Sequence, residues 1–190
     1  MTRKKSLSKV LSRRDPTEAE FDAAIAEFHN GSDRVAAIMG AALLENHLTF
    51  AISAALEDNA DVASLFYNQG SPFGTLSAKI VAAKAMGIVT KEIADDIDQI
   101  REIRNQFAHA LLALDFENQH IVEACNLIGN HTFRRDKRTP VTSVSRERFE
   151  VACWSIAFTL ILKENELTKA KFDKKTNDLM GETTSNPSPL

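Results

Sequence analysis

From residue 15 onward, apolar residues recur at steps of three and four, in stretches separated by short polar breaks. That rhythm belongs to amphipathic helices packed side by side. Val35, Ile38, Met39, Ala42, Leu43, Leu48, Ile52 and Leu56 give one long helix a wide apolar face, with Ser32 as its N-cap and an end near Asp58. Before it, Asp15-Pro16-Thr17-Glu18 opens a first helix that runs to about Phe28 and stops at Asn30-Gly31. Beyond it, residues 60–67 read as a short helical piece, followed by Asn68-Gln69-Gly70-Ser71-Pro72-Phe73-Gly74, the densest turn signal in the chain.

Thr75 then caps a helix from Leu76 to about Met86, closed by Gly87, and Thr90 caps a central helix from about Lys91 to Leu112. Residues 116–127 fit either a short helix or a pair of strands, and 134–138 read as an exposed basic loop. Ser145 caps a last helix to about Lys163, apolar nearly all round through Phe149, Val151, Trp154, Phe158 and Ile161. The fold class is therefore all-α, a single bundle of about five to seven helices spanning residues 15–166. Residues 1–14 read as a basic disordered arm and 167–190 as a disordered tail.

Composition narrows the class. The chain is 44% apolar and 26% charged, and its seven Gly and five Pro argue against a turn-rich all-β fold. Cys125 and Cys153 sit in apolar settings and read as small buried hydrophobes rather than a disulfide framework. No apolar region follows the basic N-terminus, and the apolar runs are broken well before about 18 residues, which predicts a cytoplasmic protein with no membrane segment. Charge is uneven: Arg3, Lys4, Lys5, Lys9, Arg13 and Arg14 precede any acid, leaving an acidic body behind a basic arm. That arm, with Arg134, Arg135, Lys137, Arg138, Arg146 and Arg148, is the material able to contact nucleic-acid phosphates. A solvated face is the blander reading of the same charges.

The central helix carries the chemistry. Ile93, Ile97, Ile100, Phe107, Leu111 and Leu114 form its apolar seam, with Arg104 in the remaining position. An arginine there needs a partner, a cavity or a second subunit. Glu45, on the apolar face of the long helix, is the expected intrachain partner. Arg101, Asn105 and His109 form a polar strip beside the seam, and Arg104 lies about 140° around the helix from His109. The two can share a site only if the helix breaks near His109 or two copies pack across it. Together they would make a metal-independent ribonuclease or a phosphate site, with His109 moving a proton, Arg104 holding a phosphate and Asn105 orienting either. The alternative is a helix-ending histidine and structurally paired Arg and Asn.

Other chemistry has little support. His120, Cys125, His131 and Cys153 match no zinc spacing, so no metal is expected. No phosphate loop, dinucleotide turn or nucleophile elbow is present, so no cofactor is expected either.

Gly70-Ser71-Pro72-Phe73-Gly74-Thr75-Leu76-Ser77-Ala78-Lys79-Ile80, the turn to Met86-Gly87-Ile88-Val89, and the preceding Leu43-Leu44-Glu45 resemble the mannitol operon repressor family over about residues 17–165. The placing of Arg104 and His109 is similar too. The resemblance implies an all-helical transcriptional regulator, not an enzyme, that acts through another regulatory protein or weak nucleic-acid contacts. Separately, Arg104-Asn105, three residues and His109 resembles the motif of HEPN domains. That likeness implies a helical dimer and, as the alternative function, a metal-independent ribonuclease of toxin or defence type, with Arg104, Asn105 and His109 at a cleft between protomers. A homodimer is expected on either reading.

Overall fold

The computed structural model describes residues 18–56, 61–67, 70–129 and 145–183, and every regular element among them is a helix. In chain order these are α1 (Glu18–Asn30), α2 (Asp33–Ala55), α3 (Ser64–Tyr67), α4 (Leu76–Ala85), α5 (Lys91–His109), α6 (Gln119–Leu127) and α7 (Ser145–Thr183). The all-α expectation holds. The basic arm, the turn residues Asn68 and Gln69, and Arg134, Arg135, Lys137 and Arg138 lie outside the described residues.

The bundle is built around α2. Ser32 caps it by accepting the Val35 N–H, and Ala37, Ala41, Leu44, Leu48, Ala51 and Ile52 are fully buried. α1, α4, α5 and α7 all pack against it. Gly40 is required by the approach of α7, because a Cβ there would lie 2.8 Å from both Cys153 Sγ and Phe149 Cε1. By length and apolarity α2 could cross a membrane, contrary to expectation, yet half of its most apolar window is buried by neighbouring helices. Being wrapped on several sides is what makes a core helix so apolar.

The seam of α5 runs through Ile97, Ile100, Ile103 and Phe107. Ile103, 1% exposed, takes the place the sequence gives to Arg104. The two positions are about 100° apart on the helix, so Arg104 falls at the edge of the seam instead of within it. The helix also ends at His109, three residues before the expected Leu112, and Leu111 is fully exposed instead of extending the seam. A non-local demand breaks it. Phe116 must return to the core, where its ring lies 4.9 Å from that of Phe107 and 5.2 Å from that of Phe149. Its N–H donates to Asp33 Oδ2 at 2.9 Å, and Arg34 donates to the Ala110 carbonyl at 2.6 Å.

α6 settles the ambiguity at 116–127 in favour of a helix, with Asn118 as N-cap accepting the His120 N–H. α7 corrects the sequence reading at its other end. It does not stop near Lys163 but continues to Thr183, so the charged stretch from 167 to 183 is helical. Charge density suggested disorder, but Lys, Glu, Ala and Leu are also strong helix formers. Leu167 packs on the core, and Lys171 Nζ donates to the Leu56 carbonyl at 2.6 Å, tying α7 to the end of α2. α7 also has two apolar faces. Phe149, Cys153, Ile156 and Leu160 are buried, while Phe158 and Leu162 are 61% and 53% exposed.

Arg146, grouped by sequence with the exposed basic residues, is a junction instead. Its guanidinium pairs with Asp33 and Glu150, each at 2.7 Å. It also donates to the carbonyls of Phe28 and His29. One side chain thus joins the end of α1, the start of α2 and the start of α7.

Candidate functional site

A cleft of about 350 Å³ opens where α2, the N-terminus of α4 and the middle of α5 meet. Its walls bring together parts of the chain that sequence singled out separately: Glu45 from α2, Gly74 to Ser77 from the turn and α4, and Arg101, Arg104 and Asn105 from α5.

Local chemistry fixes each wall. The turn before α4 is held by Phe73 N–H donating to the Leu65 carbonyl at 2.8 Å and by the Phe66 and Phe73 rings, 5.5 Å apart. Gly70 has φ of 75°, a conformation open to glycine at little cost. Thr75 caps α4 by accepting the Ala78 N–H at 3.2 Å. Leu76, Ile80 and Ala83 anchor α4 in the core, and one turn in from the cap Lys79 points inward with 6% of its surface exposed.

Lys79 decides the charge pattern. Its Nζ donates to Glu45 Oε1 at 2.7 Å, so the acid expected to pair with Arg104 pairs with Lys79 instead. A buried ammonium gains more from a carboxylate than a half-solvated guanidinium does, because it has no water to fall back on. Arg104 is half-buried, and its Nη1 donates to Asn105 Oδ1 at 3.0 Å. No carboxylate among the described residues lies within ion-pair distance of it. Arg101, beside it, is held by Asp98 at 2.8 Å and by Glu102. The Asp98 hydrogen bond pushes its pKa further up.

The structure therefore gathers Glu45, Arg104 and Asn105 in one place and leaves His109 out. His109 is exposed in the last turn of α5 and does not line the cleft, as the rotation between positions 104 and 109 requires. Among the described residues no histidine lines the cleft, and the one carboxylate on its wall, Glu45, is held by Lys79.

Lys79 was missed by sequence reasoning, though a signal existed. It lies between Leu76 and Ala83 on the apolar face of its helix, as Glu45 lies on that of α2. Two charges on two buried faces point to each other as partners.

The two cysteines are buried in the core. Burial pushes Cys125 up to about 12 and Cys153 well above its ordinary value. Among the described residues no group of three or more His, Cys, Asp or Glu is placed to hold a metal ion, and His131 lies outside them. A scan of protein-family models and searches of curated proteins and of solved structures find no match to this chain.

Proposed function

We propose that this chain is a cytoplasmic transcriptional regulator of the mannitol operon repressor type. It is not an enzyme, and it acts as a homodimer through contacts with another regulatory protein, with weak nucleic-acid contacts from its basic residues. One observation carries this reading. The stretches that resemble the family, around Glu45, Gly70–Ile80 and Arg104, are far apart in sequence yet contribute to the walls of one cleft, while His109, the other residue of the likeness at Arg104, lies outside it. Packing alone would not require these residues to converge on an open, charged surface. The exposed Phe158 and Leu162 on α7 support a second copy packing there.

The reading is tested by pulling down partners with the tagged full chain and measuring transcripts in cells that lack it. It expects a protein partner and a change in a defined operon. Absence of both would overturn it. A sedimentation mass equal to the 21.0 kDa chain at micromolar concentration would remove the dimer.

A second reading is a HEPN-type ribonuclease. It is favoured by one observation: Arg104 has no acid partner among the described residues, and the helix ends with His109 exposed, so both groups are placed to meet residues of another copy. Overexpression would then arrest growth, and His109→Ala would relieve the arrest. Normal growth with the wild-type chain and intact RNA in vitro would exclude this reading.

A further inference from the structure

The cleft holds an acid and an arginine that do not pair, and the reason lies behind its wall. Lys79 has 8% of its side chain exposed and Glu45 has 28%, with 2.7 Å between them. Glu45 and Arg104 line the same cleft. Arg101 on the same wall is already held by Asp98 and Glu102, so without Lys79 the cation of this cleft left for Glu45 to pair with is Arg104.

We propose that Lys79 is a positioning residue that holds Glu45 away from Arg104. The Arg104 guanidinium thereby stays open to an anionic group, carboxylate or phosphate, presented by a protein partner. This rests on the regulator reading and adds what the cleft recognises. A guanidinium has five N–H donors in a planar fork suited to such oxygens, and Asn105 occupies Nη1 of Arg104. Asn105 accepts through Oδ1, which leaves its amide N–H₂ as a further donor on the same wall. Ser77, on α4, lines the cleft as well. Breaking the Lys79–Glu45 pair would let Glu45 occupy Arg104 and close the site to anions, although Lys79 itself touches no ligand.

The test titrates the ¹⁵N-labelled full chain with inorganic phosphate and, separately, with acetate, following the Arg104 Nε–H resonance assigned by its loss in Arg104→Gln. The wild-type resonance shifts saturably. Phosphate acting alone assigns a phosphoryl group, acetate acting alone a carboxylate, and both together the shared chemistry. Lys79→Met weakens the response at least tenfold, and adding Glu45→Gln to it restores the response to within about threefold of wild type, a difference of about 0.6 kcal/mol. Glu45→Gln alone, which removes an acid from the cleft, binds the anion as tightly or tighter. It carries the test if Lys79→Met does not fold.

Four outcomes overturn the proposal, the first three being a wild-type response to neither anion, an undiminished response in Lys79→Met, and a tenfold weaker one in Glu45→Gln. Shifts at other residues that persist in Arg104→Gln mean an adventitious ion only, and they overturn it too. A normal titration in a chain that changes no transcript and captures no partner would sink the regulator reading and leave the cleft chemistry standing.

Discussion

Lys79 Nζ and Glu45 Oε1 lie 2.7 Å apart, joining the second turn of α4 to the middle of α2, while Arg104 shares the cleft with no acid paired to it among the described residues. Removing one member of a mostly buried pair leaves a charge with nothing to answer it. Lys79→Met is expected to lower stability by about 1–3 kcal/mol, less than a fully enclosed pair would lose because Glu45 is partly solvated. The double variant Lys79→Met/Glu45→Gln should recover much of that loss. Urea denaturation of the four proteins of the cycle gives the coupling energy, and strict additivity would show that the pair is energetically idle.

Arg146 is expected to be the most sensitive charged residue in the fold. Arg146→Ala removes pairs to Asp33 and Glu150 and two donors to the α1 carbonyls, all partly buried except the bond to the His29 carbonyl, which is exposed. A loss of about 3 kcal/mol follows. Arg146→Lys should restore less than half of it, since one ammonium cannot span both carboxylates and both carbonyls. Chemical unfolding measures both, and a loss under about 1 kcal/mol for the alanine variant would show that the junction contributes little.

The sequence makes the bundle legible because local signals coincide with the final packing. Ser32, Thr75 and Thr90 are caps where the spacing places them, and each accepts an N–H three residues on. What the sequence hides is decided by distant partners. α5 stops at His109 because Phe116 is drawn back between Phe107 and Phe149. α7 continues past Lys163 because Leu167 and Lys171 reach the body of the fold. At the site, the convergence of Glu45, Arg104 and Asn105 was half visible. The neighbourhood was foreseen, but the pairing was not, because the choice between Lys79 and Arg104 depends on which cation is more deeply buried.

His47 gives the stability a pH dependence of known sign. Its pKa is lowered from 6.5 by burial, and its Nδ1 is buried without a hydrogen-bond partner. The folded chain therefore resists a proton that the unfolded chain accepts, so this contribution is complete above pH 6.5 and is lost as pH falls from there toward the lowered value. His47→Leu should flatten that part of the profile, with a smaller drop in melting temperature between pH 7.5 and 5 than the wild type shows. An equal drop in both proteins would contradict the assignment.

The thiols should be inert in the folded chain. Cys125 is pushed up to about 12 by burial, Cys153 is raised as well, and both are fully buried. Thiolate is the reactive form, so a disulfide reagent at pH 8 should label neither until denaturant is added, after which both react. Fast labelling of the native protein would mean that α6 or α7 opens readily.

The central claim is that Arg104 serves recognition in a regulator and not phosphate chemistry with His109. Cells lacking the chain, complemented in turn by wild type, Arg104→Gln and His109→Ala, separate the two by transcript measurement. The regulator reading predicts that one operon's transcripts return to normal with wild type and His109→Ala, but not with Arg104→Gln. Normal transcripts with Arg104→Gln, or failure with His109→Ala, would contradict it.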